Sequence, residues 1–413
     1  MRKLYLLSDE WNNDRNFVGS ELELIKEYFE VTVVCNDSSM KDASLYPKDV
    51  KILFYKRKNG IRVLFLLLKC LLDASFWKEM KNLKGEINKT EKISEIVRFY
   101  INAELFFDYF RRNCLLDKNT DAVIYSYWYF WKCFAITKHR NKYPNVRIIT
   151  RVHGYDLYKE QLGSGYQPFK KIMDENLDRV VFIAEHGLEY YLNEFGITKC
   201  DRHIICKLGT RKTVFPDEFM GGRTEDYGGR GDINIVSCSS VIELKRVDII
   251  VKALSLIDDL KVKWIHFGGG PLLGDLKKLA EELLDKKDNV EYSLVGQVLN
   301  DEIHDYYRNN RVDVFMMMSR SEGNPISVIE AMSYGIPIVS TNINNMKNLV
   351  KNNGFLVSAN PTNTEVAEAI RKICCLDSEK TRITRDASRK IWEQEFDGKK
   401  NNERFVKEVL FRL

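Results

Sequence analysis

Two glutamates eight positions apart, Glu322 and Glu330, are the residues of this chain best placed to do chemistry. Between them lie the turn Gly323-Asn324-Pro325 and the helix start Ile326-Ser327. Asn324 is a good N-cap and Pro325 suits the first helical position. The unpaired amides of Ile326 and Ser327 then face the turn and favour an anion there. Glu322 falls on the turn itself, and Glu330 on the helix stripe shared with Ser327 and Tyr334. A carboxylate at Glu330 can accept two hydrogen bonds from a vicinal diol such as a ribose, each worth roughly 1.5–3 kcal/mol. The same pair also admits the acid and nucleophile of a glycoside hydrolase, which needs carboxyls roughly 5–10 Å apart across a sugar. An isolated glutamate pair at this spacing is ordinarily a solvated helix face; the cap and the flanking strands argue against that here.

Those strands have to position the turn. Val312 to Met318 reads as a buried strand interrupted only by Asp313. Gly335 ends the helix, and Ile336-Pro337-Ile338-Val339 begins the next strand. Similar alternation runs along the whole chain. Lys3 to Leu7, Val31 to Cys35, Val123 to Tyr125, Arg147 to Arg151 and Arg179 to Ala184 read as strands separated by helical stretches. A polar, glycine-containing break at Phe215 to Asp232 follows, and the pattern restarts at Ile233. The expectation is an α/β protein with two mostly parallel sheets.

The Glu322 to Met332 stretch, with Ser333 to Val339 after it, resembles the Glu-x7-Glu signature of retaining glycosyltransferases of family 4. The resemblance implies the GT-B fold, two Rossmann-like domains facing across a cleft. The expected division is 1–214 plus a returning helix at about 395–413 for the acceptor domain, and 215–394 for the donor domain. It implies that Glu330 holds the donor ribose, Glu322 lies beside the donor sugar and diphosphate, and Gly323, Asn324, Ile326 and Ser327 line the donor site. Ser237 to Asp248 resembles the family's first strand-loop-helix, which makes Lys245 the diphosphate-binding lysine; Ser240 stands where the family often has arginine. Phe267-Gly268-Gly269-Gly270-Pro271 is similar to the family's Gly-x-Gly-Pro turn, and Gly296-Gln297 to the loop that brackets the base. Arg151-Val152-His153-Gly154-Tyr155-Asp156 resembles its His-Gly-x-Asp motif, whose histidine reaches the donor sugar. Arg151, Asp156 and Gly19, in the first strand-to-helix loop, are expected near the acceptor or the diphosphate. Tyr125 to Trp128 and Leu208 to Thr210 resemble bacterial members that build capsule, exopolysaccharide or O-antigen.

The implied activity is retaining, metal-independent transfer of a sugar from a nucleotide-diphosphate sugar, as co-substrate, to a glycan or lipid-linked oligosaccharide. No cofactor is required. Three alternatives stand beside it: the hydrolase, an epimerase on a related scaffold, and a catalytically degenerate nucleotide-sugar-binding partner. Asn344-Asn345 and Asn348, where the family usually has a glycine pair and a glutamate, support the last.

Composition narrows the rest. The 413 residues predict two domains. A net charge of +5 from 64 basic and 59 acidic side chains is too balanced to call for nucleic acid. Nine scattered cysteines show no metal spacing, which predicts reduced thiols and a cytoplasmic protein without a signal peptide. One segment, 56–84, has basic residues and Trp77 around the apolar run Ile61 to Leu72. Two readings stand for it: an interfacial helix in peripheral contact with the inner face of a membrane, or a core-facing helix with a solvated basic edge.

Overall fold

Val314–Met317 is buried at all four positions, as is Ala122–Ser126 at all five. Unbroken burial of this kind marks parallel strands covered by helices on both faces. The computed structural model describes residues 1–9, 18–19, 21–38, 49–57, 60–83, 88–114, 116–211, 213, 233–322, 324–344 and 346–412. Gly323, Asn345 and the expected linker at 215–232 lie outside them. The chain forms two units, Met1–Lys207 with Lys400–Leu413, and Leu208–Lys399. The divisions fall at 207/208 and 399/400 rather than at 214/215 and 394/395.

The first unit carries β1 (Arg2–Leu7), β2 (Phe29–Asn36), β3 (Lys51–Tyr55), β4 (Ala122–Ser126), β5 (Val146–Val152), β6 (Arg179–Phe182) and β7 (His203–Ile205), all parallel in the order β3-β2-β1-β4-β5-β6-β7. Its helices include α1 (Ile61–Leu72), α2 (Ala74–Asn82), α3 (Lys89–Asn113), α4 (Trp131–Thr137), α5 (Lys170–Glu175) and α6 (Glu185–Phe195). Phe405, Val406, Val409 and Leu410 from the chain's end pack with Leu4, Val33 and Tyr125, so this segment completes the core of the first unit.

The second unit carries β8 (Ile233–Cys238), β9 (Val262–Phe267), β10 (Val290–Gly296), β11 (Val314–Met317), β12 (Ile338–Thr341) and β13 (Gly354–Val357), parallel in the order β10-β9-β8-β11-β12-β13. Between them run α7 (Val247–Leu254), α8 (Leu273–Leu284), α9 (Asn300–Asn309) and α10 (Ile326–Ser333). Strand order reverses between β8 and β11, and open α/β sheets bind ligands outside the carboxyl ends of strands at such a switch point. The loops leaving β8 and β11 are those of Lys245 and Glu322.

The two-sheet α/β architecture is as expected. Strands β3, β7 and β13, of five, three and four residues, were not anticipated; none is buried along its whole length, unlike Ala122–Ser126 and Val314–Met317. The expected strand from Val312 is shorter, since Asp313 turns aside: its Oδ2 accepts the Asn234 amide at 2.9 Å and its Oδ1 the Arg311 Nε at 3.0 Å.

Candidate functional site

Lys245 ends a short 3-10 turn, Glu243–Lys245, in the loop after β8. Its Nζ donates to Glu322 Oε1 at 2.5 Å, and Ser319 Oγ donates to the same oxygen at 2.6 Å. The Glu322 amide donates to Asn344 Oδ1 at 3.2 Å. Asn344 itself has left-handed backbone, φ 42°. The expected diphosphate lysine and the expected sugar-side glutamate are therefore one ion pair.

The loop is held from behind by Arg246. This residue is buried, at φ 48°. Its guanidinium donates to Met318 O (2.7 Å), Ser319 O (3.0 Å), Ala359 O (2.8 Å) and Asn360 Oδ1 (3.1 Å). The left-handed backbone turns the side chain inward, where a planar fork of donors can satisfy several carbonyls at once. The Arg320 amide donates to Leu244 O at 2.8 Å, tying the two loops a second time.

The helix start differs by one residue from expectation. Pro325, not Asn324, is the N-cap, because its carbonyl accepts the Val328 and Ile329 amides at 3.0 and 3.1 Å. The amides of Ile326 and Ser327 thus precede the first intrahelical bonds and have no acceptor within the helix. Both polar atoms of the Asn324 carboxamide are buried without a partner among the described residues. At the other end Gly335, at φ 62°, closes a Schellman motif, with Ile336 N to Ala331 O at 3.1 Å and Gly335 N to Met332 O at 2.9 Å.

Glu330 sits just over one turn into α10 and is buried. Asn300 Nδ2 donates to its Oε1 at 3.0 Å, and His304 Nε2 lies 3.5 Å from the same atom. His304 is fixed in turn by Tyr334, whose hydroxyl is 2.9 Å from Nδ1. Oε1 is thus anchored to α9, and Oε2 has no protein partner among the described residues.

The glycine turn after β9 is shaped by the protein itself. A Cβ on Gly268 would lie 1.9 Å from Ser239 O, and one on Gly270 2.5 Å from Val241 O, both at φ values that favour glycine. The close approach expected of a ligand is thus made by the β8 loop. Gly269 has only ordinary contact room, to Gln297. Gly296, at φ 86°, accepts the Gly268 amide at 2.8 Å through its carbonyl, and Gln297 is exposed.

In the first unit, His153 follows β5 and is buried between the rings of Tyr127 and Trp128, each 4.7 Å away. Its Nε2 is 3.1 Å from Tyr127 O; a carbonyl only accepts, so Nε2 carries the proton and Nδ1 keeps its lone pair. Burial, with the nearby Arg151 charge, pulls its pKa down to about 3, so the ring is neutral.

Arg151 and Asp156 are not ligand-facing. Arg151 is buried in an ion pair with Glu21 and lies over the Phe405 ring, 3.9 Å from its centroid. Asp156 is fully buried, accepting the His153 amide at 2.6 Å and the Tyr129 amide at 2.7 Å. It folds the loop that presents His153. Gly19 stands in a helical turn with open space where a Cβ would go, so nothing in its surroundings demands glycine.

Comparison with known proteins bears on the second unit most directly. Residues 229–390 match the family described as glycosyl transferases group 1. The second unit is a group 1 glycosyltransferase domain. Over 297 residues the chain is 24% identical to an uncharacterized glycosyltransferase of Methanocaldococcus jannaschii, covering 70% of this chain and 75% of that protein. It is 28% identical over 217 residues to the O-antigen biosynthesis glycosyltransferase WclY of Escherichia coli, covering 48% and 54%. Among solved structures, Anabaena HepE in complex with UDP and glucose superposes with a TM-score of 0.63 at 16% identity, covering 100% of both chains. The fold is GT-B.

In the glycosyltransferase domain, the structure gathers Lys245, Glu322, Asn324, Ile326, Ser327 and Glu330 around one switch point. Asn300, His304, Ser319, Arg246 and Asn344 support them; sequence reasoning missed Asn300, His304 and Ser319, and read Asn344 only as a departure from the family pattern. Asn300 and His304 are one helical turn apart, a spacing that could have been noticed. Nothing local says that α9 faces α10.

Proposed function

We propose that the protein is a retaining, metal-independent glycosyltransferase that moves a sugar from a nucleoside diphosphate sugar to a glycan or lipid-linked oligosaccharide during bacterial surface polysaccharide synthesis. The observation that carries this reading is the divided Glu330 carboxylate, with Oε1 held by Asn300 and Oε2 left over, on the helix whose first amides are unpaired. Oε2 is suited to a ribose diol, and the Ile326 and Ser327 amides to a phosphate. The unpartnered Asn324 carboxamide supplies a further polar group beside those amides.

As the sugar departs, the diphosphate gains negative charge. A fixed cation at Lys245 and amides already in place stabilise that charge without reorganisation. The staple at Arg246 supplies the rigidity such preorganisation requires. Glu322 holds Lys245 in position before the donor arrives and is proposed to orient the donor sugar. His153 is proposed to accept from a sugar hydroxyl through Nδ1; being neutral, it puts no positive charge near a carbon that is becoming electron-poor. The leaving phosphate would help deprotonate the acceptor on the same face, which accounts for retention. The complexes named for HepE and the O-antigen role named for WclY support uridine diphosphate as the first nucleotide to test and a surface glycan as product.

Peripheral membrane contact belongs to the same proposal. Leu66 and Cys70 of α1 are buried in the core of the first unit and Val63 packs against it, while the opposite face of the helix is exposed. Ile61, Leu64, Phe65, Leu68, Leu71 and Leu72 are exposed by 52–91%, and Trp77 follows at 52%. No helix among the described residues is long and apolar enough to cross a membrane. Lys69 is paired with Glu104 at 2.5 Å, Lys78 with Glu175 at 2.9 Å, and Arg62 with Asp108. Apolar burial rather than net charge therefore has to carry the contact, at about 25 cal/mol per Å².

The test is a stability panel with nucleoside diphosphates and their sugars, on the native chain and Glu330→Ala. Selective binding at a hundredfold excess over Kd stabilises by about 2.7 kcal/mol. A shift for one nucleotide, lost in the variant, together with product from donor plus acceptor, is expected. A folded protein that responds to no nucleotide would overturn the reading.

A further inference from the structure

A polar cavity lies in the first unit, apart from the candidate site described above. It has a volume of about 290 Å³ and is lined by Asn36, Asp37, Tyr55, Arg57, Asn102 and Trp131, among others. Asn36 ends β2 and Tyr55 ends β3, so the cavity opens at the carboxyl edge of the sheet. His153 follows β5 on the same edge, three strands from β2. At about 4.8 Å per strand that is roughly 14 Å away.

Three polar atoms in its wall have no hydrogen-bond partner among the described residues. Asn36 Oδ1, the Tyr55 hydroxyl and Asn102 Oδ1 are all buried with no hydrogen bond among the described residues. Tyr55 is only 5% exposed. Its ring is fixed edge-on by Phe106 (5.3 Å between centroids) and Tyr109 (5.4 Å), and Trp131 lies 6.0 Å away. The packing aims the phenol and does not satisfy it. Buried polar groups are ordinarily hydrogen-bonded, so three in one small cavity call for an occupant. Burial also raises the Tyr55 phenol to about 12, which keeps it an O–H donor.

The groups define that occupant. Two carboxamide oxygens and a phenol need a ligand that both donates and accepts, as hydroxyls do in either orientation of an asparagine amide. A fully ionised phosphate has no donor for a carboxamide oxygen, and the lining charges, Asp37 and Arg57, offset one another, which suits a neutral ligand. The Tyr55 and Trp131 rings offer an apolar wall for the C–H face of a pyranose. The cavity falls at the lower end of the roughly 300–1,000 Å³ range of small-molecule sites.

We propose that this cavity binds a neutral sugar ring of the acceptor, at a position distinct from the one beside His153. Calling the ring the acceptor's rests on the glycosyltransferase reading above; the requirement for a neutral, hydroxyl-rich ring does not. The test is saturation-transfer NMR with methyl glycosides of glucose, galactose and N-acetylglucosamine, on the native chain, Tyr55→Phe and Asn102→Leu. Tyr55→Phe removes only a hydroxyl that no described protein group uses, so its melting temperature should be unchanged or higher. At least one glycoside is expected to give a signal with the native chain and a signal at least tenfold weaker with either variant. Equal signals from all three proteins, or none from the native chain, would overturn the proposal. Uridine diphosphate binding, read in the same samples, reports separately on the donor site.

Discussion

Seventy-seven residues separate Lys245 from Glu322 along the chain, and 2.5 Å separates Nζ from Oε1. In this pair the ammonium that should meet the diphosphate is already engaged by a carboxylate. Removing either partner should therefore have different effects. Lys245→Ala should weaken uridine diphosphate binding at least tenfold and lower kcat by about 10²–10³, the scale seen when one transition-state donor is lost. Glu322→Ala frees the lysine, so binding should hold or tighten while kcat falls. Calorimetric Kd values set beside single-turnover rates would check the split, and parallel losses in both variants would count against it.

For Glu330, the division between Oε1 and Oε2 yields a sharper test. Glu330→Gln keeps an oxygen for Asn300 but removes the charge. Loss of charged hydrogen bonds worth roughly 1.5–3 kcal/mol should weaken uridine diphosphate by about 10- to 150-fold. A 2′,3′-dideoxy analogue should bind the native chain and the variant alike. If the analogue loses as much as the ribonucleotide, Glu330 does not hold the diol.

The Arg246 staple predicts a backbone effect and a side-chain effect that can be separated. Arg246→Ala removes donors from Met318, Ser319 and Ala359 and leaves a non-glycine residue at φ 48°. It should cost about 2–4 kcal/mol and slacken the Glu322 loop, weakening nucleotide binding as well. Arg246→Gly should be more stable than the alanine variant by about 1 kcal/mol, since only the left-handed strain is relieved. Urea titrations of the two variants would show the order.

Acid stability should report on His153. Its pKa in the folded chain is about 3, below the value of about 6.5 for an unperturbed histidine. The folded state thus binds the proton less readily than the unfolded state. The contribution of His153 is fully present above pH 6.5 and is lost as pH falls from there towards 3. Its limiting slope is about 1.4 kcal/mol per pH unit. His153→Gln should flatten the stability curve in that window and leave it unchanged above pH 7. Because the ring stays neutral, it should contribute no inflection near pH 6.5 to the rate profile.

The uncovered face of α1 should be measurable with vesicles. Leu64→Glu combined with Leu68→Glu replaces two side chains exposed by 64% and 58%, so stability should change by less than about 0.5 kcal/mol. Sedimentation with phospholipid vesicles should fall at least tenfold. Raising the salt should matter much less, because Arg62, Lys69 and Lys78 are already paired within the chain. Binding that vanishes in moderate salt would point to charge instead.

Much of the site's outline was legible in the residues themselves. Pro325 and Gly335 bracket α10, and apolar runs such as Val314 to Met317 mark its neighbouring strand. The sequence misled where a residue type has two good uses. Asn324 looks like a cap, yet the carbonyl of Pro325 performs the capping. Arg151 looks like a ligand for phosphate, yet it is buried against Glu21, 130 residues away in the chain. Gly268 looks like room for a ligand, yet the room is taken by Ser239 O.

The sequence alone determined the alternation of strand and helix, the position of the glutamate turn at a strand's end, and the two-unit α/β plan. These follow from periodicity, caps and turn residues, which act over a few positions. Only the tertiary structure decided that Lys245 meets Glu322, that Arg246 turns inward, that Asn300 and His304 stand behind Glu330, and that the apolar face of α1 stays uncovered. Each of those depends on which surfaces pack together, because burial and distant hydrogen-bond partners set the role of a charged or apolar side chain, and neither is encoded in its neighbours.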